Sequence, residues 1–251
     1  MRNLLSLSDE ENLARWESLS LGYTHQKGNE FLRRDIADYI NGSNEGKQIQ
    51  LNPEDVLVCT PSEGILLAVQ ASLKPEDHVI CVKPGYQSLY QLAQTMGCEV
   101  TPWEARLDGE SFRFETDTLR QILRPGKTKL LVLQFPNNPT GALPTQEEYQ
   151  YIVDMCKSIG CRVFSDEMYR ELEHAGECAR LPSAAVMARS NVTLGGVSKV
   201  FSLPGLRIGW VATKDYALMR RMEELKDYTT ICSSSPSEVL ASIGIRAKDT
   251  I

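Results

Sequence analysis

From about residue 54 onward, short apolar runs alternate with amphipathic ones. Val56-Leu57-Val58-Cys59 reads as a strand and Ser62 to Leu73 as a helix. His78-Val79-Ile80-Cys81-Val82 predicts a second strand, followed by a helix from about Gln87 to Met96 and a strand at Cys98 to Thr101. Leu130-Leu131-Val132-Leu133-Gln134-Phe135 is a continuous apolar run, the pattern of a strand buried on both faces. The next helix has a start signal, because Thr145 and Glu148 stand at capping-box spacing. Tyr149, Ile152, Val153, Cys156 and Ile159 then recur at helical spacing until Gly160 supplies a stop. Further strands are predicted at Arg162 to Ser165, Asn191 to Leu194 and Ile208 to Ala212, and a helix around Ser237 to Arg246. Alternation of this kind predicts an α/β domain with a mainly parallel sheet sandwiched by helices.

Ligands of open α/β sheets bind beyond the carboxyl ends of the strands, so the residues that follow each strand matter most. They are Thr60-Pro61-Ser62-Glu63-Gly64, Pro84-Gly85-Tyr86, Pro136-Asn137-Asn138-Pro139-Thr140-Gly141, Asp166-Glu167-Met168-Tyr169 and Gly195-Gly196-Val197-Ser198-Lys199. Glycines, prolines and reactive polar groups are therefore expected together on one edge. A dinucleotide fold is the structural alternative, but no G-x-G-x-x-G follows the first strand.

Composition narrows the partners. A net charge of -6 argues against a nucleic-acid backbone or an anionic membrane, while leaving room for a local basic pocket. No apolar run has the length of a membrane span, and the start MRNLLSLSDEENLARW turns acidic too early for a secretory signal. The seven cysteines are scattered and odd in number, which predicts buried free thiols in a reducing, cytoplasmic setting. None has zinc-ligand spacing beside a histidine, so no metal site is expected.

The ordered set NNPTG, SDEMY and GGVSKVFSLPGLRIGW resembles the signature of fold-type I pyridoxal-phosphate enzymes, the class I/II aminotransferases. The resemblance runs from about Tyr23 to about Ser237. It implies a large cofactor-binding domain, pyridoxal 5'-phosphate as cofactor, and amino-group transfer between an amino acid and a 2-oxo acid. Lys199 would form the Schiff base and carry the α-proton, since a lysine amine in a desolvated or cation-flanked setting is a competent nucleophile. Asp166 would pair with the pyridine nitrogen and keep the ring an electron sink. Tyr169 and Asn138 would hydrogen-bond the phenolic oxygen, and Tyr86 would stack on the ring. Arg207 would clamp the phosphate through its planar guanidinium. Ser198 would add a hydroxyl, and Thr60, Pro61, Ser62 and Glu63 would present the start of a helix, a ready anion site. Gly22 to Gly28 with Leu32-Arg33 resembles the family's N-terminal segment, in which the tyrosine (here Tyr23) reaches the phosphate of the partner subunit in a homodimer.

The resemblance divides the chain into an N-terminal segment, 1–35, that contacts a partner and a cofactor-binding domain, 36–251. It also implies a small C-terminal domain carrying the arginine that grips the substrate carboxylate. No residue here matches that arginine, so the expectation is a large domain incomplete at its C-terminal end. Gly196 departs from the family's serine or threonine three residues before the lysine. Two further readings share the pocket: a lyase or cyclising enzyme acting on amino acids, and a cofactor-binding remnant without turnover.

Overall fold

The structure is a computed structural model, and it describes residues 2–44, 46 and 49–251. Among the described residues nine strands form: β1 (Val56–Cys59), β2 (His78–Lys83), β3 (Glu99–Glu104), β4 (Arg106–Asp108), β5 (Ser111–Arg113), β6 (Thr128–Gln134), β7 (Arg162–Asp166), β8 (Val192–Gly196) and β9 (Gly209–Ala212). The helices are α1 (Arg2–Leu5), α2 (Glu10–Glu17), α3 (Glu30–Gly42), α4 (Pro61–Ser72), α5 (Ser88–Thr95), α6 (Thr116–Ile122), α7 (Gln146–Ser158), α8 (Ala184–Met187), α9 (Tyr216–Lys226) and α10 (Ser235–Arg246).

Seven strands make one sheet in the order β1-β9-β8-β7-β6-β2-β3, and β4 pairs with β5 in a separate hairpin. Pairs from β8 through β7, β6 and β2 to β3 are parallel. The sheet is therefore mainly parallel as expected, with one reversal: β9 runs antiparallel to both β8 and β1. The cause is local. Residues 197–208 between β8 and β9 hold a short 3-10 turn, Pro204–Leu206, and no α-helix to carry a parallel crossover. β1 keeps the direction of the parallel set, so its carboxyl end still reaches the expected edge.

Strand β6 shows why its sequence lacks polar alternation. Leu130 and Val132 pack with α4, α5 and α9 on one side, whereas Leu131 and Leu133 pack with Trp103, Tyr149 and Ile152 on the other. Both faces are dry, so the period-2 pattern has no polar half. The Thr145 capping box forms as the spacing predicts: Thr145 Oγ1 accepts the Glu148 N–H, and the Glu148 carboxylate accepts the Thr145 N–H. Gly160 sits at φ 71°, the left-handed conformation that ends such a helix without a Cβ penalty. A third cluster joins α3 and α10 to the β1/β9 side of the sheet through Leu32, Ile36, Ile40, Val56, Trp210, Ala241 and Ile245. Helix α3 runs unbroken through residue 35.

Cys59, Cys81, Cys156 and Cys161 are buried free thiols, as expected. Cys178 is exposed, and Cys98 and Cys232 are half-buried, a correction to the general expectation. Among the described residues, no helix is long and apolar enough to cross a membrane.

Candidate functional site

The parallel strands deliver their exits, and β9 its entrance, to one edge of the sheet. There Pro61, Ser62, Tyr86, Asn138, Asp166, Tyr169, Ser198, Lys199 and Arg207 line one recess of about 250 Å³, together with Gln134, Met168 and Leu194. All of the strand-exit segments singled out from sequence contribute to it. A larger open groove, about 990 Å³, shares Asn138 and Tyr169 and is bordered by residues of the β4–β5 hairpin and by Leu172 to Ala175.

Helix α4 brings its start to the recess. Thr60 and Glu63 form a reciprocal cap: Thr60 Oγ1 accepts the Glu63 N–H at 3.4 Å, and Glu63 Oε2 accepts the Thr60 N–H at 3.2 Å. The Gly64 N–H goes to Thr60 O, and Pro61 has none to give. The helix start therefore has the Ser62 N–H left over, beside the Ser62 hydroxyl. Thr60 and Glu63 do not line the recess themselves. Instead, Glu63 Oε1 accepts the Thr229 hydroxyl, the Thr230 hydroxyl at 2.8 Å and the Thr230 N–H at 3.3 Å, fastening the turn after α9 to the start of α4.

Asp166 closes β7 and is almost wholly buried. Its Oδ1 accepts the Met168 N–H at 3.1 Å, and its Oδ2 accepts from Gln134 Nε2 at 2.9 Å. Burial pushes its carboxyl up to about 6, with those two donors opposing the rise only in part. The neighbouring Glu167 is turned away from the recess, accepting the Ala184 N–H and the Thr193 hydroxyl and standing 3.6 Å from Arg170. Gln134 is a polar member of the site that the sequence does not single out. The signal was present, because a glutamine at the end of a strand buried on both faces must find polar partners.

Lys199 is exposed on the recess wall, not desolvated, with Nζ 5.5 Å from the centre of the Tyr169 ring. Arg207 holds φ 56°, a left-handed conformation that costs a non-glycine residue about 1–2 kcal/mol. Its Nη1 donates to Pro204 O at 3.1 Å. Ser198 Oγ is buried with no protein hydrogen-bond partner. At Gly196 a Cβ would stand 3.1 Å from Met168 Sδ and 3.2 Å from both Gly209 Cα and Ile208 O, so the family's hydroxyl side chain would need Met168 or the β9 backbone to give by a few tenths of an ångström.

Tyr23 lies outside the recess and is 90% exposed. Its neighbour Thr24 donates to Ser233 O at 3.1 Å, which lays this segment against the turn that carries exposed Tyr228 and Ile231.

Residues 9–249 match the family described as aminotransferase class I and II. The chain is 29% identical to the capreomycidine synthase of Streptomyces vinaceus over 207 residues, 81% of this chain and 52% of that protein. It is 30% identical to the arginine–pyruvate transaminase of Pseudomonas aeruginosa over 199 residues, 78% of this chain and 49% of that protein. A crystal structure of a PLP-dependent aminotransferase from Streptococcus suis superposes with a TM-score of 0.85 at 27% identity, covering 98% of this chain and 63% of that one. The N-succinyldiaminopimelate aminotransferase of Mycobacterium tuberculosis shares the fold with a TM-score of 0.84 at 24% identity, covering 100% and 64% of the two chains. The chain spans about half the length of the curated relatives it matches.

Proposed function

The chain belongs to the class I and II aminotransferase family, and from that premise we propose that it takes part in moving an amino group between an amino acid and a 2-oxo acid. The cofactor of that family is pyridoxal 5'-phosphate. The observation that carries the reading is one recess holding an amine, a guanidinium, a buried carboxylate and an aromatic ring, on Lys199, Arg207, Asp166 and Tyr86.

The recess fits that cofactor on two features of its own. Asp166 is a buried carboxylate with amide donors and, among the described residues, no ion-pair partner, which suits a protonated ring nitrogen. Ser198 Oγ is a buried hydroxyl lacking a partner, which suits a phosphate oxygen. Arg207, Ser62 and the leftover N–H at the start of α4 would hold the same phosphate. Tyr169 and Asn138 would hydrogen-bond the phenolic oxygen, and Tyr86 would stack on the ring. When bound, pyridoxal phosphate supplies an aldehyde that condenses with amines and a ring that accepts the electron pair left on the substrate α-carbon.

Lys199 would anchor the cofactor through its amine and, once displaced, take the proton from the substrate α-carbon. Its exposure leaves Nζ free to move between those positions. We further infer a homodimer in the cytoplasm. Tyr23, at 90% exposed, and Tyr228, at 89%, offer aromatic surface to a second copy, from which Tyr23 would reach the neighbouring phosphate.

Borohydride reduction in the presence of pyridoxal phosphate, followed by peptide mass mapping, tests the reading. The expected product is a pyridoxyl adduct on Lys199. Folded protein with Lys199 unlabelled would overturn it. Conversion of bound cofactor to pyridoxamine phosphate on adding an amino acid would then establish transfer, whereas release of ammonia and a keto acid would point to elimination.

A further inference from the structure

Gln134 ends β6 directly opposite Asp166, the last residue of β7, in the parallel register of the two strands. Its side chain is buried and both ends of its amide are engaged. Nε2 donates to Asp166 Oδ2 at 2.9 Å, and Oε1 accepts the Asn138 N–H at 3.2 Å. The two partners make opposite demands. A carboxylate needs a donor and a backbone N–H needs an acceptor, and the Gln134 amide supplies both in one orientation. The turn that carries Asn138 is otherwise closed on itself, through Asn137 N to Ala142 O, Gly141 N to Asn137 O, and Asn137 Oδ1 with Thr140. It also touches the β2 exit through Asn137 Nδ2 and Pro84 O. Gln134 is thus the hydrogen-bonded link from that turn to the strand end bearing the site's buried carboxylate.

We propose that Gln134 is a positioning residue that aims the Asp166 carboxylate into the recess and fixes its spacing to Asn138. The inference rests on the reading above, in which Asp166 and Asn138 contact one and the same ring, at its nitrogen and its phenolic oxygen. If their separation is set by a single amide, the ring position is set by it too. Asp166 also depends on this donor for its ionised form, because the Met168 N–H is its other hydrogen bond.

The test follows the Asp166 carboxyl by carbon NMR across pH in cofactor-free protein, alongside pyridoxal phosphate binding by absorbance. Loss of a hydrogen bond to a charged group predicts that Q134L moves the Asp166 midpoint up by about one to two pH units and weakens binding about tenfold or more. In Q134E the new carboxyl and Asp166 share one proton, so the wild-type midpoint splits into one below and one above it. Binding to Q134E then weakens as pH rises. A purely structural role would leave Q134E with the wild-type Asp166 midpoint, and that result would overturn the proposal. Should Q134L fail to fold, seen as loss of its thermal transition, the Q134E titration decides. Wild-type protein that takes up no pyridoxal phosphate would sink the reading of the recess, while the Asp166 titration would still decide the role of Gln134.

Discussion

Replacing Asp166 by Asn isolates the cost of keeping a buried carboxylate that, among the described residues, has no ion-pair partner. Burial pushes Asp166 up to about 6 from an ordinary value of 3.8. At about 1.4 kcal/mol per pH unit, ionising it inside the fold costs about 3 kcal/mol. The folded-state value is raised, so the group supports folding fully below about pH 4. That support is lost as pH climbs through about 6, because the unfolded chain then releases the proton more readily. The Asn variant carries no such dependence. Against the ionised Asp166, which offers two acceptors, the amide offers one, so either Met168 N–H or Gln134 Nε2 loses a partner; the protonated Asp166 present at pH 4 is under the same limit. Urea denaturation of cofactor-free protein at pH 4 and pH 8 reads the balance. D166N should stand close to the wild type at pH 4 and be the more stable of the two at pH 8, the difference moving by about 3 kcal/mol between them. Other buried carboxyls with raised values, such as Glu167 and Glu238, are present in both proteins and cancel in the difference. Added pyridoxal phosphate should reverse the order at pH 8, by binding the wild-type fold more tightly than the variant. A stability difference that is the same at both pH values would refute the argument.

Three other outcomes follow from the geometry. Gly196→Ser should cost about 1–3 kcal/mol by crowding Met168 and the β9 backbone, with M168A recovering part of the loss; thermal unfolding of the single and double variants checks it, and an undiminished transition in G196S would count against it. Arg207→Gly releases a left-handed residue, so cofactor-free protein should be no less stable, while pyridoxal phosphate affinity measured by fluorescence falls about tenfold or more. His78 is buried between Thr128 Oγ1 at 2.7 Å and Thr101 Oγ1 at 2.8 Å, so each ring nitrogen of the neutral imidazole has a hydroxyl partner. Burial lowers the His78 value below 6.5, so this site contributes stability above that pH that is lost on acidification, and a denaturation series from pH 7 to 5 should show H78Q lacking this loss.

The elements legible in the sequence are those in which local signals and burial agree. The Thr145–Glu148 cap, the apolar run of β6 and the glycine- and proline-rich strand exits each declare themselves within a few residues. So did most of the recess, because chemistry at a sheet edge follows strand ends that hydrophobic runs mark out. The reversal of β9 was not legible, since a four-residue apolar strand carries no sign of its direction and only the short link before it sets one. Gln134 escaped notice because an apolar run hides a polar end unless the partner strand is in view. Glu63 is the reverse case. Its spacing to Thr60 announces a cap, but its grip on Thr229 and Thr230 joins residues far apart in sequence, which no local pattern encodes.

The pairing of β1 with β9 has a consequence for how the chain is made. Val56 opens the strand, yet its register partner is Ala212. At a ribosomal pace of roughly 5–20 residues per second, β1 waits on the order of 10–30 s for the segment that gives it a partner strand. During that interval the strands from β2 to β7 can already pair among themselves. The recess is therefore finished from its carboxylate side first, and its arginine arrives last, with the strand that closes the sheet.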